Sequence, residues 1–203
     1  MKKLLSIILV ALLSFSAVAC NGSNTSSTAT SVSQSALSQK LKAVLEKPMV
    51  KELLQGKKIS ELLKESLANI TEDQKNQLLK ELPGVSLDPS NFSSDDAAYA
   101  WIADTTKQTI KAAIEKGELT QDIMNQAKMY LGVAQCQYPE LSKIKLPNIE
   151  LKKGISDEDL TKFCESMTDV LDVFTDPELL KKLGVDLSNL GALDNLQKMA
   201  GMK

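Results

Sequence analysis

Three cysteines, Cys20, Cys136 and Cys164, are the side chains best able to carry covalent chemistry here. The chain contains no His and no Arg. That removes the commonest general base, the commonest transition-metal ligand and the bidentate phosphate fork. Ser–His–Asp and Cys–His catalysis are excluded outright. What remains is 26 acids and 24 lysines, a net charge of −2 and a mildly acidic surface with no electrostatic footprint for nucleic acid. The densest acidic run, Asp157–Glu158–Asp159, follows Ser156 and reads as the charged first turn of a capped helix. Asp95–Asp96 after Ser93–Ser94 reads the same way. Paired carboxylates can hydrolyse a glycosidic bond, but no two acids are marked by spacing as facing each other, and aromatic sugar platforms are scarce. A calcium loop at Asp186–Ser188–Leu190–Gly191–Asp194 fails at Leu190 and at Gln197, where oxygen ligands are needed. The residues therefore predict no catalytic site, no metal site and no cofactor.

The N-terminus is the most informative stretch. Met1–Lys2–Lys3 precedes the apolar run Leu4–Leu13, which leads through small residues to Ala17–Val18–Ala19–Cys20. The apolar part is shorter than the roughly 20 residues of a spanning helix and has no basic flank before Lys40. The pattern resembles a bacterial lipoprotein signal peptide, although Ala17 stands where that box prefers Leu. Ala17–Val18–Ala19 also fits the small-residue site of ordinary secretion. The resemblance implies that residues 1–19 are removed and that Cys20 becomes a lipidated N-terminus, an anchor held by two or more acyl chains. Asn21, rather than the Asp that retains such proteins at an inner membrane, favours the outer membrane facing the periplasm in a Gram-negative cell. In a Gram-positive cell the same signal implies the outer face of the cytoplasmic membrane. Residues 20–36 form a Ser/Thr-rich tether that cannot bury enough apolar area to offset its ordering entropy. Extended, it reaches up to roughly 50 Å.

With Cys20 lipidated, Cys136 and Cys164 remain as an even pair in an exported chain, and a disulfide between them is expected. Two unpaired buried cysteines are the alternative.

Residues 37–203 read as one all-α domain of six to eight helices. Leu37, Leu41, Val44 and Leu45 recur at helical spacing before Pro48. Thr71 and Gln74 make a capping box for a helix that stops at Leu82–Pro83–Gly84. Ser93 with Asp96 opens a helix to Gly117, Thr120 one ending near Cys136, and Ser156 with Asp159 one to Phe174. Asp176–Pro177 starts a short helix, and a last one covers about Leu190–Met199. Residues 143–152 alternate around Pro147–Asn148, so a small hairpin is possible. An extended loop laying Ile144, Leu146, Ile149 and Leu151 on the bundle is preferred, because an isolated hairpin is marginal. The helix over 95–116 has weakly polar residues on two sides and is expected at the centre of the bundle, with Trp101 as core rather than a ligand platform. Met124, Met129 and Met167 lie in amphipathic patterns and are assigned to the core. The segment 77–92 is echoed at 178–190, one helix-stop device used twice or an old duplication.

The function expected from these features is a non-catalytic binding or assembly module at the membrane surface, with the membrane as one partner through Cys20 and an envelope protein as another. A helical carrier of a small apolar or lipid ligand is the alternative.

Overall fold

The computed structural model describes residues 35–182 apart from 55, 83 and 84. The signal segment, Cys20, the tether up to residue 34, the weak calcium loop, the last expected helix and the end of the internal echo lie outside the described residues. Among the described residues there are eight α-helices, two 3-10 turns and no strand. The helices are α1 (Ala36–Leu45), α2 (Pro48–Leu53), α3 (Ile59–Ala68), α4 (Glu72–Glu81), α5 (Asp95–Lys116), α6 (Gln121–Gln137), α7 (Asp157–Phe174) and α8 (Pro177–Lys182). The all-α multi-helix fold is as the periodicity predicts.

Local signals set most boundaries. Ser35, Thr71, Thr120 and Ser156 each cap the following helix by accepting a backbone N–H. At Thr71 the full capping box forms, with the Gln74 side chain accepting the Thr71 N–H at 3.0 Å. Gly117, at φ +76°, ends α5 in the left-handed region that glycine alone enters without strain. One cap moves. Ser94, not Ser93, accepts the Ala97 N–H at 3.2 Å. This places Asp95 first in α5, where its carboxylate can reach a neighbouring helix.

α5 lies at the centre, packed against α1, α3 and α7. Tyr99, Ile102, Ala103, Ala113 and Ile114 are all at most 3% exposed, and they meet Leu37 of α1, Leu63 of α3 and Phe163 of α7 in one core. Trp101 joins this core to a second cluster of Leu82, Val85 and Leu87. Its ring stands edge-on to Phe92 (5.3 Å, 89°), and its Nε1–H donates to the Ser86 carbonyl at 2.7 Å. The single tryptophan is thus a structural bridge with a satisfied polar end.

Charged side chains fix the helices around this core. Asp95 Oδ1 accepts from both the N–H (3.0 Å) and the hydroxyl (2.5 Å) of Ser60, capping α3 from another helix; Lys58, at α3's own cap position, offers no side-chain bond. Asp96 takes Lys42 Nζ of α1 at 2.9 Å, and that hydrogen bond raises the Lys42 pKa. The α1–α7 contact is rimmed by Lys40–Asp169 (2.7 Å) and Lys47–Asp172 (2.6 Å), and α5 is tied to α7 by Lys107–Asp157 (2.9 Å). Such exposed pairs contribute little energy each but select one arrangement of the helices.

Residues 144–152 run without helix or strand and make no hairpin, and a turn at Lys153–Gly154, closed by the Ile155 N–H donating to the Lys152 carbonyl at 3.1 Å, leads into α7. Ile144 and Leu151 are buried, and Leu146 and Ile149 pack half-buried on the core. Side chains of the helices beneath hold the backbone of this segment at three points, one of them the Ile144 carbonyl, which accepts from Gln135 at 2.9 Å. Gln121 accepts the Leu151 N–H at 2.8 Å, and Glu115 accepts the Gly154 N–H at 2.7 Å. A loop supplied with partners in this way needs no cross-strand ladder.

Candidate functional site

The expected disulfide does not form. Cys136 and Cys164 are both free thiols. α7 turns Cys164 inward beside Leu160 and Phe163, leaving it 1% exposed, whereas α6 turns Cys136 to solvent. The two helices aim the thiols into different environments, so an even count did not make a pair. Burial pushes the Cys164 thiol up to about 12, which makes it chemically inert at neutral pH. Cys20, the expected lipidation site, lies outside the described residues.

The acidic runs are absorbed by the fold. Asp157, Glu158 and Asp159 occupy the first turn of α7; Lys107 binds Asp157, Lys162 binds Glu158 at 2.6 Å, and Ser156 donates to Asp159 at 2.8 Å. Among the described residues no group of three or more His, Cys, Asp or Glu is placed to hold a metal ion. Among the same residues no helix is long and apolar enough to cross a membrane.

The feature that stands out is the outward face of α6. Of its seventeen residues only Met124 is fully buried. Met129 is 58% exposed, Tyr130 67% and Val133 57%, and Ile123 and the following Tyr138 are more than two-fifths exposed. From Met129 to Tyr138 the chain carries no charged residue, although a quarter of the whole is charged. At 100° per residue, Met129, Val133 and Cys136 fall on one line opposite Leu131 and Ala134, which pack inward, with Tyr130 to one side. Apolar residues in a row, with Tyr and Met present and charge excluded, have the composition of an interface core. Met129 is thus a correction: the expectation placed it in the core with Met124, and it stands on the surface.

The sequence dictates how this face is held. Thr120 caps α6 at one end by accepting the Ile123 N–H at 3.3 Å, and Gln121 fastens it to Leu151. At the other end the Gln135 amide donates to the carbonyls of Leu141 and Ile144, both at 2.9 Å. Leu131 and Ala134 pack on Leu141, Ile144 and Leu179, so the inner side of α6 is seated, while among the described residues nothing covers Met129, Tyr130 and Val133 on the outer side. A second exposed apolar pair, Leu171 and Phe174, closes the C-terminal end of α7. Periodicity could not find the α6 face. With no charges between 129 and 138 there is no polar stripe to mark which side is wet. That absence of charge was the usable signal.

No family model, curated protein or solved structure matches the chain.

Proposed function

We propose that this chain is a non-catalytic docking module of the bacterial cell envelope, anchored through a lipid on Cys20 and presenting α6 to a protein partner. One observation carries the docking role: an uncharged, apolar face on a helix whose inner side is firmly seated. A face of this kind loses free energy to water and regains it on being covered. The anchor rests on the N-terminal resemblance, the Ala17–Val18–Ala19–Cys20 junction and the Ser/Thr-rich tether, which gives the domain reach from a bilayer. The apolar faces of α1 and α5, and that of α7 from Leu160 to Met167, are consumed in the common core, which favours a docking module over a carrier.

Two measurements test this. Metabolic labelling of bacteria with an alkyne palmitate is expected to mark the wild-type chain and not Cys20→Ser; equal labelling of both, or of neither, refutes the anchor. A photo-crosslinking amino acid at position 133, irradiated in cells, is expected to give a discrete protein adduct. The same residue at exposed Lys153 is the control, and no adduct at 133 above that control refutes the docking surface.

A further inference from the structure

We propose that the partner of the α6 face is a second copy of this chain, with two α6 helices packed face to face across a two-fold axis near Gly132. This rests on α6 being a docking surface and names its occupant. Two independent observations carry it.

The first is Gly132 itself. It sits in the fourth turn of α6 with no left-handed φ to require glycine, and a Cβ built on it meets nothing within 4 Å among the described residues. Glycine inside a helix costs stability relative to alanine, and nothing among the described residues compensates. A helix approaching from outside does: a missing side chain beside Val133 and Met129 lets a second backbone come close. The shape thus calls for a helical partner.

The second is charge. The charged residues of α6, Asp122 and Lys128, come before Met129, and none interrupts the helix from there to its end, whereas acids stud the outer sides of α4 at Glu72 and Asp73 and of α7 at Asp157, Glu158 and Asp169. In a two-fold contact each surface meets itself, so any net charge on it meets its own sign. A face without charge is what self-pairing requires, because like charges set opposite each other weaken association. A charged foreign partner would find nothing here to read. The charge-free stretch of α6, Met129 to Gln137, is about 14 Å long and covers less than the roughly 800 Å² per partner of a standard interface. The pairing is therefore weak, with a dissociation constant in the range of about 10–100 µM, reached more readily when both copies share one membrane.

The test uses the full chain carrying Cys20→Ser, which removes the lipid and leaves Cys136 as the exposed thiol. Sedimentation equilibrium is expected to show a monomer–dimer equilibrium, and a bismaleimide should link the copies through Cys136, one turn from the axis. Gly132→Leu fills the space a partner helix needs but meets nothing in its own copy; it should weaken the dimer about tenfold or more with the circular dichroism and melting midpoint of the monomer retained. Val133→Glu should do the same by placing like charges at the axis. A chain that stays monomeric up to about 1 mM overturns the proposal, as does a dimer indifferent to both substitutions. Binding to phosphatidylglycerol vesicles that Val133→Glu abolishes would give the face to a membrane instead, and overturns it too. If the in-cell adduct at position 133 has the mass of some other protein and the chain is monomeric, the second-copy assignment falls while the docking surface stands. No adduct removes both.

Discussion

Asp95 and Asp96 are adjacent, alike, and both in the first turn of α5, yet they should differ sharply when removed. Asp95 Oδ1 accepts two hydrogen bonds from Ser60, a residue only 7% exposed, and supplies the cap that α3 lacks of its own. Asp95→Ala deletes a helix cap, a loss of roughly 0.5–2 kcal/mol. It also strands a buried hydroxyl, which costs about 1–3 kcal/mol where water does not replace the partner. Because the carboxylate serves both groups, the two losses overlap, and a total of about 2–3 kcal/mol is expected. With a urea m-value near 2 kcal/mol/M, the unfolding midpoint should fall by roughly 1–1.5 M at unchanged m. Asp96→Ala removes only an ion pair with Lys42 whose side chains are 38% and 49% exposed, and should shift the midpoint by little more than experimental error. Both variants lose the same macrodipole charge, so that contribution largely cancels in the comparison. Asp95→Asn, which keeps an acceptor, should fall in between. In a double-mutant cycle, Ser60→Ala and Asp95→Ala should couple by about 1 kcal/mol or more. Equal midpoints for Asp95→Ala and Asp96→Ala, or no coupling to Ser60, would refute the trans-cap and the reasoning built on it.

Thiol titration separates the cysteines. In the Cys20→Ser chain, native protein should react at one thiol, Cys136, and guanidinium-unfolded, unreduced protein at two; zero in the unfolded chain would restore the disulfide. The alkaline limb of stability follows from two buried acids held protonated by the fold. Burial, the largest cause, raises Cys164 from 9.0 to about 12, and burial together with Glu46 raises Tyr99. Raised values contribute stability fully present below the unfolded pKa and lost as pH climbs through the folded one. Urea midpoints should thus fall from about pH 9 upward, Cys164→Ala should flatten the onset, and Tyr99→Phe the part above pH 10; midpoints unchanged to pH 11 would contradict this. Thr105 Oγ1 is buried with no hydrogen-bond partner, whereas Thr109 donates to the Thr105 carbonyl at 2.8 Å. Thr105→Val should therefore stabilise by up to about 1 kcal/mol, and Thr109→Val should not; a loss on Thr105→Val of the size seen for Thr109→Val would show that the hydroxyl is bonded after all.

What the sequence determined by itself was local. Thr71–Gln74, Thr120, Ser156 and Gly117 fix helix ends through contacts within four residues, and the apolar spacing along α1, α5 and α7 states which sides must be dry. The loop over 143–152 was also legible, since Pro147 and alternating Ile and Leu suit a chain laid over a surface. Three matters were decided only in three dimensions. Whether Cys136 and Cys164 bond depends on a distance between side chains on different helices, which spacing along the chain does not encode. The division of labour between Asp95 and Asp96 depends on which neighbouring helix each carboxylate happens to face. And the bare side of α6 became visible only once its other side was seated on Leu141 and Ile144, because an apolar residue reads alike in sequence whether the surface it waits for is inside its own fold or outside it.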